Sequence, residues 1–261
     1  MTLLWIIVFC TLGGILSVLA ASLFLLLREP LRVQAMPHLI SFATGALLGA
    51  AFLALLPHAI EAYGDGDVHE ITLTVLLGVM FFFLLEKLVI WRHCHSGYCE
   101  VHVPEDQHRH HASGTMVLIG DAMHNLVDGV LIAAAFLTDF HLGVVVSLAV
   151  AAHEIPQEVG DFIILLHSGF SRMRAFLFNI LSSLTTIIGG VAAYYSMKDI
   201  MHVLPYVLAV AAASFIYVAV ADLIPTLHKR TQLKATLQQV VLIIAGVSLI
   251  YIAHSTMHGA G

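Results

Sequence analysis

Two short stretches concentrate the reactive side chains of this sequence. The first reads Gly120-Asp121-Ala122-Met123-His124-Asn125-Leu126-Val127-Asp128-Gly129, the second His153-Glu154-Ile155-Pro156-Gln157-Glu158-Val159-Gly160-Asp161. His124 and Asp128 stand at i and i+4, so on a helix they share a face, with Asn125 beside them. His153 and Gln157, and Glu154 and Glu158, repeat that spacing. Two such helices facing each other present imidazole nitrogens and carboxylate oxygens around one point. That donor mix suits zinc and its first-row neighbours. The candidate metal ligands are therefore His124, Asn125, Asp128, His153, Glu154, Gln157 and Glu158. Asn125 and Glu154 lie next to the first donors and leave room for a second ion nearby.

The elements that position these residues are long and apolar. A bilayer core of about 30 Å needs about 20 apolar residues per helix. Eight such runs are present: Leu3–Leu27, Leu39–Ile60, Ile71–Trp91, Thr115–Thr138, Leu142–His167, Ala175–Met197, Leu204–Leu227 and Ala235–Ala253. Each is too long for a barrel strand and lacks strict alternation. The expected fold is an all-α integral membrane protein of eight transmembrane helices, a single domain over 1–261, with a metal site between runs four and five. The first run has no Lys or Arg before it and is too long for a signal-peptide core, so it reads as a retained helix.

Both clusters fall near the centres of their runs, hence near the bilayer midplane. A charged group there costs about 3 kcal/mol or more and points to function. A lone intramembrane histidine is more often a helix–helix hydrogen-bonding residue, but seven donors in matched positions are not explained that way. Pro156 removes a helix hydrogen bond to the carbonyl of Ala152, a loss tolerated where backbone lines a polar cavity. Gly129 and Gly160 are expected to let helices approach closely. Asp121 and Asp161, one turn away, divide evenly between pathway roles and solvated helix ends.

Composition agrees. The 261 residues are 59% hydrophobic and 11% charged, and a soluble fold cannot hide that much apolar surface. With a net charge of −6 the chain shows no nucleic-acid signature. Histidines number 17, against 11 Lys and Arg together, and the three cysteines, Cys10, Cys94 and Cys99, form no disulfide framework. Arg28, Arg32, Lys87, Arg92, Arg109, Arg172, Arg174, Lys229, Arg230 and Lys234 lie at odd-numbered connections, and Lys198 alone at an even one. By the positive-inside rule both termini are outside. No Walker A or dinucleotide glycine motif is present, so no nucleotide engine is expected.

The paired stretches resemble the ZIP family of zinc- and iron-regulated transporters. His124-Asn125-x-x-Asp128-Gly129 resembles its fourth-helix motif. His153-Glu154-x-Pro156-x-Glu158 resembles its fifth-helix motif, in the branch reading His-Glu-x-Pro-His-Glu, except that Gln157 stands where that branch has His. The resemblance covers essentially the whole chain. It implies inward transport of divalent metal, zinc first, with iron, manganese, cadmium and cobalt behind it. It implies a binuclear site: His124, Asp128, His153 and Gln157 nearest one ion, Asn125, Glu154 and Gln157 or Asp128 nearest the other, with Asn179 a candidate to complete it. Zinc enters as transported substrate, and no organic cofactor is expected.

Other polar groups are less specific. Residues 92–114 read as a His-rich cytoplasmic loop, with Cys94, Cys99 and its histidines suited to sensing or delivering metal. Pro57 and Pro225 read as kinks, Asp222 as a pathway or helix-pairing residue, and His254 and His258 as solvated outer residues. Two rivals remain. A membrane-embedded zinc hydrolase needs about three ligands and an open position, but no His-Glu-x-x-His is present. A cation-diffusion exporter shares the His-x-x-x-Asp pair but usually has six spans and a soluble C-terminal domain. The expected partners are divalent metal ions and the lipid bilayer, not nucleic acid, with a homodimer left open. The expected location is a bacterial inner (plasma) membrane.

Overall fold

The computed structural model describes residues 1–93 and 107–258. Among these residues the chain is helical throughout: α1 (Thr2–Gly13), α2 (Ile15–Leu25), α3 (Glu29–Ala50), α4 (Leu56–Tyr63), α5 (Val68–His93), α6 (Gln107–Thr138), α7 (Phe140–His167), α8 (Arg172–Met197), α9 (Leu204–Tyr217), α10 (Ile224–Leu227) and α11 (Leu233–His258). They make eight segments long and apolar enough to cross a membrane. The all-helical fold with eight long apolar segments read from the sequence is the one observed among the described residues.

The details differ where local chemistry acts. The first span breaks at Gly14, which lets the backbone approach α8: a Cβ there would lie 2.8 Å from the carbonyl oxygen of Ser183. The second span starts at Glu29, ten residues before the expected Leu39, because Pro30 in the first turn suits a helix start. Pro37, which sequence alone places before the run, sits inside α3.

Two spans widen into π turns, Ala51–Leu55 and Val218–Leu223, just ahead of Pro57 and Pro225. A proline has no N–H to give to the carbonyl one turn back, and its ring crowds that carbonyl. A wider turn relieves the crowding and is frequent at functional sites. The prolines read as kinks thus mark π turns, and the second of these carries Asp222.

The expected loop 92–114 is also shorter than the sequence suggested. Helix α5 runs to His93 and α6 reaches back to Gln107, so His108, His110 and His111 are helical. Cys94, His95, Cys99 and His102 lie outside the described residues.

The bundle turns its small residues inward and its large ones outward, as a protein solvated by lipid must. Ala46, Ala50, Ala54, Ala134, Ala149 and Ala212 are fully buried, whereas Leu76, Phe81, Leu237 and Ile244 are each more than half exposed. Small side chains permit the close helix contacts that drive association where no hydrophobic effect separates helix from solvent. The tightest contact joins α6 to α8. A Cβ on Gly129 would lie 1.9 Å from the carbonyl oxygen of Thr186, and one on Gly189 would lie 2.1 Å from that of Leu126. Gly129 therefore acts as expected. Gly160 does not: a Cβ there meets nothing within 4 Å, because the residue borders a cavity.

Candidate metal site

Helices α6 and α7 bring four donors to one point. Nε2 of His124 lies 3.7 Å from Oδ2 of Asp128 and 3.4 Å from Oε1 of Glu154. Nε2 of His153 lies 3.2 Å from Oδ2 of Asp128 and 3.7 Å from Oε1 of Glu154. The two Nε2 atoms are 3.1 Å apart. A tetrahedral zinc with bonds of about 2.0–2.2 Å places its ligands about 3.3–3.6 Å from one another. The observed separations bracket that range, so the site has the size of a zinc ion before any side chain moves.

The His153 imidazole is fixed with Nε2 turned into the cluster. Nδ1 of His153 donates to the carbonyl of Ala149 at 3.0 Å. A carbonyl only accepts, so Nδ1 carries the proton and Nε2 is left to bind metal. His153 and Asp128 are each about 1% exposed, and Glu154 is fully buried. Such groups are costly in hydrocarbon unless a cation or protons neutralise them.

A second group adjoins the first. Oxygens of Asp121, Glu154 and Glu158 lie within 4.8 Å of one another, with Glu154 common to both groups. From α8, Asn179 faces Glu158 and Ser182 faces Asp121. Both oxygens of Glu154 and of Glu158, Oδ2 of Asp121, both amide atoms of Asn179 and Oγ of Ser182 are buried without a well-formed hydrogen bond. Polar groups left together in this way are of the kind that could hold an ion.

The structure distributes the expected ligands unevenly. His124, Asp128, His153 and Glu154 meet directly, and Glu158 joins through the second group. Asn125 is engaged elsewhere: its Nδ2 donates to Oδ1 of Asp121 at 2.9 Å and to the Asp121 carbonyl at 3.2 Å, and its Oδ1 accepts from Thr186 at 2.7 Å. Here it holds Asp121 in place and ties α6 to α8. Asp121, which the sequence divides evenly between a pathway role and a solvated helix end, is buried and belongs to the second group. The available signal was spacing, since Asp121, His124 or Asn125, and Asp128 repeat at helical intervals along one face. Thr186 carried no such signal.

Gln157 lines a cavity of about 540 Å³ together with Asp121, His124, Asp161, Asp222 and Thr226. This cavity joins the site to the end of the bundle where the odd-numbered connections lie. Toward the other end the bundle is packed shut by Ala54, Leu131, Ala135, Val146, Ala149 and Leu208, each at most 2% exposed. The site is therefore open to one side and sealed from the other. At the sealed end Asp139 caps α7, accepting from the amides of His141 at 2.8 Å and Leu142 at 2.9 Å. Partial burial works against its charge, but those two amides hold its carboxyl below the usual range.

A profile described as ZIP zinc transporter matches residues 91–254. The chain is 31% identical over 261 aligned residues to zinc transporter ZIP13 of Pongo abelii, covering 91% of this chain and 76% of that protein. It is 28% identical to zinc transporter zipt-7.1 of Caenorhabditis briggsae, covering 82% of this chain and 70% of that protein. It is 27% identical to zinc transporter SLC39A7 of Mus musculus, covering 93% and 69% respectively.

Proposed function

This chain belongs to the ZIP zinc transporter family, and from that premise we propose that zinc crosses the membrane through the buried donors of α6 and α7. Members of this family are transporters, so the hydrolase and exporter readings are not favoured. The chain is a multi-pass integral membrane protein that moves a divalent metal, with zinc as substrate rather than resident cofactor. The observation that carries the reading is the set of four donor atoms spaced for a tetrahedral ion at the bottom of a one-sided cavity.

The finer reading has two ions. The first sits among His124, Asp128, His153 and Glu154, and the second among Asp121, Glu154 and Glu158, with Asn179 from α8. Glu154 bridges them. Asn125 contributes by holding Asp121. Gln157 stands at the cavity side, where an ion leaving the first position meets it. The positive connections gather at the cavity end, so that end faces the cytoplasm, both termini lie outside, and transport runs inward. In this orientation the structure is the inward-open state, and the His-rich segment 92–114 serves on the cytoplasmic side to sense or deliver metal. The relatives above are animal proteins and give the bacterial inner membrane no support. Lipid surrounds the exposed leucine and phenylalanine faces. Iron, manganese, cadmium and cobalt fit the same donors less selectively, and a homodimer is compatible with those faces.

Purified protein in sealed liposomes tests the reading. Zinc accumulates without nucleotide, faster with an inside-negative potential set by potassium and valinomycin if the loaded site moves net positive charge. A potential of 100 mV is worth about 4.6 kcal/mol for an uncompensated divalent ion. An absolute requirement for ATP would overturn it. Position 157 gives a sharper variant. Gln157→His replaces a weak amide donor by imidazole, so half-saturating zinc should fall roughly tenfold while release slows. An unchanged zinc affinity and metal preference would show that position 157 stays out of the ion's path.

A further inference from the structure

Three of the chain's 11 Lys and Arg residues, Lys229, Arg230 and Lys234, stand close together at the seventh connection. Neither the metal donors nor the cavity beside them uses this charge. The structure gathers it around a second cavity of about 440 Å³, between the start of α11 and the N-terminal half of α3. Gln34 and His38 of α3 form the facing wall, Gln232 and Gln238 add amides, and no residue lining the cavity is acidic. Among the described residues none of the three cations forms an ion pair with a carboxylate. In a chain of net charge −6, positive charge gathered in one concave site attracts an anion.

Bonds to backbone hold the cavity in shape. Nη2 of Arg230 donates to the carbonyl of Val33 at 2.7 Å, which ties the connection to α3. The amide of Arg230 donates to the carbonyl of Leu227 at 3.2 Å, and Nε2 of Gln239 donates to the same carbonyl at 3.1 Å. A guanidinium has five N–H donors, so Arg230 keeps donors for a ligand after anchoring α3. The opening turn of α11 borders the cavity through Lys234 and Ala235 and contains no acidic residue. Backbone amides at a helix start favour an anion as well.

Position and the helix face beyond the cavity decide which anion. The cavity lies where two spans, those of α3 and α11, reach the end of the bundle, the level of lipid headgroups. Along α11, Lys234 and Gln238 stand at i and i+4, and Val241 follows on the same face at i+7. Val241 is exposed, as are Leu237 and Ile244 near it. A ligand with its anionic group among the cations therefore finds apolar surface for a tail on the same helix. A soluble phosphate would use only the polar half. We propose that this cavity binds the phosphate headgroup of an anionic phospholipid, with an acyl chain laid along α11. A choline headgroup brings its own cation against Lys229, Arg230 and Lys234 and is disfavoured. The site is separate from the metal donors, so its occupancy is read without zinc.

The full chain, purified in detergent with zinc chelated, is titrated with dioleoyl phosphatidylglycerol or dioleoyl phosphatidylcholine. Lipid retained on the intact protein is counted by native mass spectrometry. One phosphatidylglycerol per chain should bind in preference to phosphatidylcholine. Lys229→Gln with Lys234→Gln should weaken that binding about 30-fold, the effect of removing two cations near a lipid phosphate. Arg172→Gln with Arg174→Gln removes the same charge from the fifth connection, at the same end of the bundle but outside the cavity. That control should shift binding by no more than about threefold, because salt screens distant charges. Gln238→Glu keeps all three cations and puts a carboxylate on the cavity wall, so it should weaken binding about fivefold even if the double lysine variant fails to fold. Matching thermal melts without lipid show which variants are folded. Equal affinity of the unaltered chain for the two lipids, or unchanged phosphatidylglycerol binding by folded Gln238→Glu protein, would overturn the proposal. Displacement of the lipid by millimolar inorganic phosphate would make this a free-phosphate site and overturn the lipid assignment.

Discussion

His153→Ala should lower the initial rate of zinc uptake into proteoliposomes by at least about 100-fold, and Asp128→Ala should do the same. Changing residues that only orient a metal's ligands weakens such sites by about 10- to 100-fold, and these substitutions remove the proposed donors themselves. The geometry explains the severity. Nε2 of His153 and Oδ2 of Asp128 are 3.2 Å apart, and each also faces the other donors of the cluster. Losing either removes one of four donors and leaves water from the cavity, a weaker ligand than imidazole or carboxylate, to replace it. His153 is 1% exposed, so its removal also leaves a small cavity. The melting behaviour and elution volume of each variant in detergent therefore have to match the unaltered chain. Uptake within a few-fold of normal in a correctly folded His153→Ala protein would remove His153 from the path.

Gly129→Val has an effect of comparable size by a different route. A Cβ on Gly129 would lie 1.9 Å from the Thr186 carbonyl oxygen, which belongs to backbone and cannot rotate away. Valine adds two methyl groups beyond that Cβ. Overpacking of this kind costs about 1–3 kcal/mol in an adaptable core, and a rigid backbone contact lies at or above the top of that range. Helices α6 and α8 must separate, carrying Asp121, His124 and Asp128 away from Asn179 and Ser182. Expected are a sharply reduced yield of folded protein, a lower melting temperature and loss of uptake. Gly120→Ala is the control on the same helix. Its Cβ meets nothing within 4 Å, so the melt should hold or rise slightly, as alanine favours helix over glycine by up to about 1 kcal/mol. Equal stability of Gly129→Val and Gly120→Ala would show that the close α6–α8 contact is not required.

The sequence was most informative where residue types conflicted with their surroundings. His124, Asp128, His153, Glu154 and Glu158 lie in apolar runs, and a buried charge there has few explanations other than a ligand. That conflict pointed to the side chains that the structure brings together, and run length located the spans. What stayed hidden depends on partners distant in the chain. Asn125 matches a ligand by motif and by helical face, yet its amide is taken by Asp121 and by Thr186, 61 positions further on. Nothing in α6 alone reveals that Thr186 stands there. Pro57 and Pro225 announced a disturbance, but whether a helix answers proline by kinking or by a π turn depends on how neighbouring helices pack. The break at Gly14 likewise arises from the nearness of the Ser183 carbonyl.

The most direct measurement is an anomalous difference map from crystals of the zinc-loaded protein, collected on both sides of the zinc absorption edge. The account predicts a peak within about 2.0–2.2 Å of Nε2 of His124 and Nε2 of His153, with Asp128 and Glu154 completing the shell. A second peak should lie on the Glu158 side of Glu154, between Asp121 and Glu158. A saturated crystal with zinc bound only elsewhere, and no anomalous density between α6 and α7, would contradict the claim that these helices carry the transported ion.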